Sequence, residues 1–217
     1  MRAALRKQVA RRAAELMYHD GVKEYLRAKR KAARELGTTV YPNNLEIKQA
    51  LDLLADELEG PARTVRLLAL RRRALEVMLT LEPFSPRLIG SVLSGQIRRT
   101  SDIDIHAFTD VHEHLADRLS AAGLEPALEI VRVRKGGQDR DFPHYYVEFP
   151  EGLADISVYP ADELKRPQRS SVTHRTMERA TIGRLRRLLA QSEETGQLVA
   201  SEPGGPARAG DPDDTGA

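Results

Sequence analysis

Asp102 and Asp104 stand two residues apart in Ser101–Phe108, where they alternate with Ile103 and Ile105. Residues at that spacing on a strand project from one face, so two carboxylates are held at close range. Like charges so placed do not both stay ionised without a cation. A hard divalent ion such as Mg²⁺ wants oxygen ligands, takes few of them from protein and fills the rest with water and phosphate. The pair therefore suits holding a metal that binds a triphosphate and orients an attacking hydroxyl. A third carboxylate would complete that chemistry. Asp155, in the otherwise uncharged apolar run LADISVYP, is the candidate, with Glu148 in YVEF as its rival. Ala154 and Ile156 face away from Asp155, so if this strand lies beside the first, Asp155 joins the face of the pair. Its roles would then be metal sharing and activation of an acceptor hydroxyl.

Upstream lies a turn-rich segment, Gly90-Ser91-Val92-Leu93-Ser94-Gly95. Gly90 permits a sharp turn after a strand, and Ser91 opens a short helical stretch whose free N–H groups face phosphate oxygens. Ser94 and Gly95 extend a polar wall, and Arg98 and Arg99 are placed either to neutralise phosphate charge or simply to meet solvent. His106 continues the face of the two aspartates, while His144 and Tyr146 share the face of Glu148; each is as readily a structural residue as a substrate contact. His174 and Arg175 stand near the start of the last helix, along which Arg179, Arg184, Arg186 and Arg187 form a charge run that reads as a solvated face.

An apolar residue, then Gly90-Ser91, ten intervening residues and Asp102-Ile103-Asp104-Ile105 resemble the nucleotidyltransferase superfamily typified by DNA polymerase beta. That superfamily includes nucleotide-adding, aminoglycoside-modifying and minimal nucleotidyltransferases. The resemblance covers about residues 84–160. It implies a small mixed sheet, a Gly-Ser turn gripping the triphosphate, and metal-binding aspartates at positions 102 and 104 with a third carboxylate at position 155. It also implies Mg²⁺ as cofactor and an NTP as substrate. On this footing Asp102, Asp104 and Asp155 are the expected catalytic and metal-binding residues, and Gly90, Ser91, Ser94 and Arg98 the expected nucleotide-binding ones. The acceptor is not implied: a small molecule, a protein or an RNA end all fit a single transfer.

The elements that must position these residues follow from the apolar pattern. Residues 2–36 predict two helical segments parting near His19-Asp20-Gly21, and Asn43 or Asn44 an N-cap for a helix over 45–59. Gly60-Pro61 breaks that helix, and another follows over about 62–81, with Val65, Leu68, Leu75, Val77, Met78 and Leu81 available for packing. After Pro83 and Pro86 the period changes. A short strand at 87–89, one or two helical turns at 92–96, a strand at 101–108 and a helix at 110–122 are expected. Strands at 128–134, 144–149 and 153–159 and a helix at 172–190 come next, with GGQDRD as a turn. The expectation is an α+β protein: a helical module over 1–82, a mixed-sheet nucleotidyltransferase-like domain with a C-terminal helix over 83–192, and a disordered Gly-, Pro- and Asp-rich tail over 193–217.

Composition narrows the alternatives. The 217 residues include no Cys, which excludes disulfides, thiolate catalysis and cysteine-ligated zinc. There is no apolar run long enough to cross a membrane and no apolar secretory core near the N-terminus, so a cytoplasmic protein without membrane partners is expected. The net charge of +2 hides an excess of eleven Lys and Arg over four acids in residues 1–36. Those helices leave RNA open as a partner, although they lack the interleaved aromatic residues that stack bases. Two further function classes stand beside the transferase: a nucleotide-binding regulator without catalysis, and an RNA- or protein-binding module led by residues 1–36.

Overall fold

A computed structural model describes residues 2–22, 24–135, 138–169 and 176–195. The chain divides into two compact units, one of residues 1–63 with 169–176, the other of 64–168 with 177–217.

The first unit is helical: α1 (Arg2–His19), α2 (Tyr25–Glu35) and α3 (Asn44–Glu59). Its core joins Val9, Ala13 and Leu16 of α1 with Ala28 and Ala32 of α2 and Ile47 and Leu51 of α3, the alanines allowing the helices to approach closely. Asn43 caps α3 in a reciprocal box: its side chain accepts from the Glu46 N–H at 2.9 Å, and the Glu46 carboxylate accepts from the Asn43 N–H at 2.7 Å. Several of the basic residues that drew attention to this end of the chain are ion-paired within the unit. Arg11 meets Glu57 at 2.8 Å, Arg12 meets Glu35 at 2.7 Å and Lys31 meets Asp20 at 3.1 Å.

The second unit contains most of α4 (Pro61–Thr80), then β1 (Arg87–Leu88), α5 (Gly90–Ser94), β2 (Ile103–Phe108), α6 (His112–Ala121), β3 (Ala127–Lys135), β4 (Gln138–Phe149), β5 (Gly152–Tyr159) and α7 (Ile182–Thr195). The strands form one mixed sheet in the order β1-β2-β5-β4-β3. Only β2 and β5 run parallel; β1 on β2, β4 on β5 and β3 on β4 are antiparallel. Among the described residues the architecture is the expected α+β one, with helices first, a mixed sheet and a C-terminal helix. No described helix is long and apolar enough to cross a membrane.

The alternation in the strands sorts the two faces of the sheet. Ile103, Ile105, Ala107, Ala154, Ile156, Val158, Tyr145 and Val147 enter a core with Leu67, Leu70, Ala74 and Met78 of α4, Leu115 and Leu119 of α6 and Leu185 of α7. The opposite face carries Asp104, His106 and Phe108 of β2, Asp155, Ser157 and Tyr159 of β5, and Phe142, His144 and Tyr146 of β4.

Four local expectations are corrected. Val65 is exposed rather than packed, because the buried stripe of α4 runs through Leu67, Leu70, Ala74 and Met78. The segment 138–141, expected within a turn, belongs to β4, paired residue by residue with β3 from Gln138 onward. The last helix begins at Ile182, not near 172: Ala180 exchanges both backbone hydrogen bonds with Leu88 at 2.9 Å, which holds this part of the chain extended along β1. The helix continues to Thr195, past the expected start of the tail at 193. His174, Arg175 and residues 196–217 lie outside the described residues.

Candidate functional site

Asp104 and Asp155 are Cα partners across the parallel β2–β5 pair, and Tyr146 of β4 is the partner of Asp155 on its other side. Partners of this kind project from the same face, with neighbouring strands about 4.8 Å apart. Two carboxylates distant in sequence are thereby set side by side. Asp102 lies just before β2 with the same parity as Asp104 and is exposed. Glu148 shares the face but pairs with Leu153, one step off this row, on the strand beyond β5 from Asp104, and is exposed.

The electrostatics mark Asp104. Burial, with the negative charges of Asp155 and Asp102 added, pushes its carboxyl up to about 7. Like charges converging on a half-buried carboxylate are relieved by a proton or by a cation. His106, two residues on, is 3% exposed. Burial, and then the positive charge of Arg179 and the proximity of His144, push it down to about 3, so its ring is neutral at physiological pH. Its centroid lies 4.7 Å from that of Tyr159, and its Nδ1 has no hydrogen-bond partner among the described residues.

Gly90 adjoins Asp104 at closest range. Its φ is +72°, and a Cβ built there would overlap Asp104 Oδ2 and lie 3.0 Å from its Cγ. Glycine is therefore required twice over, by the backbone conformation and by the carboxylate packed against it. The turn is held from below by Arg71 of α4, fully buried, whose Nε donates to the Val92 carbonyl at 3.1 Å and whose Nη2 donates to that of Leu93 at 3.0 Å. Ile89, immediately before Gly90, donates its N–H to the Asp104 carbonyl at 3.0 Å. The Gly-Ser turn and the strand bearing Asp104 are thus one piece of backbone construction. Ser91, the second residue of α5, is half-buried, and Ser94 donates its hydroxyl to the Ser91 carbonyl at 3.4 Å. Arg98, in the loop leading to β2, uses its backbone N–H on the Ser101 hydroxyl at 2.8 Å.

On the far side of Asp155 lies His144. Its Nδ1 is 2.8 Å from Asp155 Oδ1, and the Ser157 hydroxyl is 3.4 Å from the same nitrogen. A carboxylate oxygen accepts, so the tautomer with its proton on Nδ1 donates to Asp155 Oδ1. Sequence reasoning left His144 among residues as readily structural as functional. The signal available was its parity with Tyr146 and Glu148, which says nothing about which strand lies next to it. Arg71 gave no signal at all, standing at the head of an Arg71-Arg72-Arg73 run that resembles an exposed basic patch. Arg179, expected on a solvated helix face, lies outside the helix and half-buried. Its Nη2 donates to the Leu164 carbonyl at 2.8 Å and its guanidinium stands 5.6 Å from the Phe108 ring centroid.

Asp104 and Asp155 together offer oxygen donors of the kind a hard cation prefers. Among the described residues there is no group of three or more His, Asp or Glu side chains set to hold a metal ion. A cation at this row would draw most of its ligands from water and from a bound phosphate, as Mg²⁺ commonly does.

No protein-family model matches the chain, and no curated protein matches it. Among solved structures, it is similar to a cytoplasmic RNA terminal U-transferase with 22% identity and a TM-score of 0.32, over 42% of this chain and 28% of that one. It is similar also to Cid1 bound to a UTP analogue, with 20% identity and a TM-score of 0.32, over 42% of this chain and 30% of that one. A further Cid1 structure, described as a poly(U) polymerase, is matched with 21% identity and a TM-score of 0.31 over the same shares. The chain thus spans less than a third of the length of the structures it matches.

Proposed function

We propose that this chain is a nucleotidyltransferase of the DNA polymerase beta type, moving a nucleoside monophosphate from an NTP to a hydroxyl of an acceptor. The observation that carries the reading is the register of Asp104 against Asp155, with Gly90 packed on the Asp104 carboxylate. In this reading Asp104 and Asp155, side by side on the sheet, and Asp102 just ahead of β2 would hold Mg²⁺, which when bound would neutralise phosphate charge. Gly90 and Ser91, with Ser94 and Arg98 alongside, line the side on which the triphosphate rests. Asp155, on the strand farther from that turn, receives the proton of the acceptor hydroxyl. The new bond joins the acceptor oxygen to the α-phosphorus, the bond from that phosphorus to the bridging oxygen breaks, and pyrophosphate leaves with the electron pair.

The test is incubation of the full chain with each α-³²P-labelled NTP, Mg²⁺ and fractionated cell extract, with Asp104→Asn in parallel. Label should pass to an extract component with wild type and not with the variant, and the labelled species identifies the acceptor as small molecule, protein or RNA. Absence of transfer together with Mg²⁺-independent NTP binding would remove the reading. Saturable, Mg²⁺-dependent NTP binding that never yields product would favour a nucleotide-binding regulator instead.

A further inference from the structure

His144 is fixed on three sides. Its Nδ1 stands 2.8 Å from Asp155 Oδ1 and 3.4 Å from the Ser157 hydroxyl. Its ring lies 6.2 Å from that of Tyr146, centroid to centroid, at 32°. Its backbone is paired with Ser157 in the antiparallel β4–β5 ladder. Both side chains of the pair are largely covered, His144 at 15% and Asp155 at 24% exposure. A carboxylate at a strand's surface ordinarily rotates about its terminal torsion with little preference. A charge-assisted hydrogen bond from an immobilised ring removes that freedom. It also divides the two oxygens of Asp155: Oδ1 is committed to His144, and Oδ2 is what the residue offers to a cation or a hydroxyl.

We infer that His144 is a positioning residue, one that orients Asp155 through Nδ1–H so that Oδ2 faces the Asp104 row. The inference rests on the reading of Asp155 as part of the transfer site, and adds the residue that sets its geometry. It does not depend on the charge of the ring, because Nδ1 donates in the protonated form and in the tautomer the carboxylate selects. Hydrogen-bonding partners of metal-ligating carboxylates act in this way, and their removal typically weakens metal binding or activity tenfold to a hundredfold.

The experiment measures Mn²⁺ binding to the full chain by electron paramagnetic resonance, in the presence of NTP, for wild type and four variants. His144→Asn keeps an N–H donor near Nδ1; His144→Phe keeps the ring and its packing on Tyr146 without the donor; His144→Ala removes both; Asp155→Asn is the reference. His144→Phe and His144→Ala should each weaken Mn²⁺ binding about tenfold or more and lower kcat similarly with little change in KM for the NTP. His144→Asn should recover most of both. Wild-type Mn²⁺ affinity in His144→Phe, or a His144→Asn as impaired as His144→Ala, overturns the inference. If Asp155→Asn is impaired in those circumstances, the transferase reading stands without His144. If Asp155→Asn also binds Mn²⁺ as wild type does and wild type itself transfers no label, the reading itself fails and the inference with it.

Discussion

Gly90 and Asp104 are packed so closely that one methyl group at position 90 would occupy the space of the Asp104 carboxylate. The turn proposed to lie beside a triphosphate and the acid proposed to hold its metal are thus in direct contact. This contact separates two effects usually confounded in a glycine substitution. Gly90 and Gly123 have similar backbones, with φ of +72° and +76°, but a Cβ at Gly123 meets nothing within 4 Å. Each change to alanine should cost about 1–2 kcal/mol through the left-handed backbone alone. Only Gly90→Ala should also displace Asp104 and abolish Mg²⁺-dependent NTP binding. Denaturant melts with nucleotide titration check this. Equal nucleotide binding in the two variants would show that the close approach has no functional weight.

The raised pKa of Asp104 predicts a pH dependence of stability with a definite sign. Its folded-state value of about 7 lies above the ordinary 3.8. Between these values the folded state keeps a proton that the unfolded chain has released. The group's contribution is complete below 3.8 and is lost as pH rises through about 7. Wild type should therefore lose on the order of 2–4 kcal/mol relative to Asp104→Asn across that window. Mg²⁺ with NTP should restore part of it at pH 8, since a bound cation replaces the proton. Parallel melting profiles for the two proteins would contradict the assignment.

Arg71 carries a prediction that its sequence context conceals. Fully buried, it donates to the Val92 and Leu93 carbonyls at the end of α5. Arg71→Met keeps most of the stem's packing but leaves both acceptors without these donors, at a cost on the order of 2–4 kcal/mol. Because those carbonyls belong to the helix that Gly90 and Ser91 open, NTP affinity should fall along with stability. Retention of wild-type affinity at a lowered melting temperature would confine Arg71 to a structural part.

The capping box of α3 provides a change in the other unit. Asn43→Ala removes the acceptor for the Glu46 N–H and should cost about 1 kcal/mol. The difference between wild type and Asp104→Asn with pH should be untouched. Circular dichroism melts at several pH values test both statements together.

The sequence by itself determined which residues share a face. Alternation put Asp104 on one side and Ile103 and Ile105 on the other, and parity did the same for Asp155 against Ala154 and Ile156, whereas Asp102, expected in the strand, lies just before it. A cap at Asn43 or Asn44, the parting of α1 from α2 and the change of period after Pro86 were legible for the same reason, because each depends on neighbours within a few residues; the structure has Asn43 as the cap. Tertiary structure decided adjacency. That β5 lies beside β2, with Asp155 level with Asp104, follows from a pairing between distant segments, and no local period encodes it. His144 meets Asp155 only because β4 pairs on the other edge of β5. Arg71 is an internal donor only because α5 comes to rest over it. The start of α7 was misjudged on the same ground: good helix formers precede Ile182, but hydrogen bonds from Leu88 to Ala180 hold that part of the chain extended. Local propensity specifies how a segment turns its side chains; long-range hydrogen bonding and packing specify what those side chains meet.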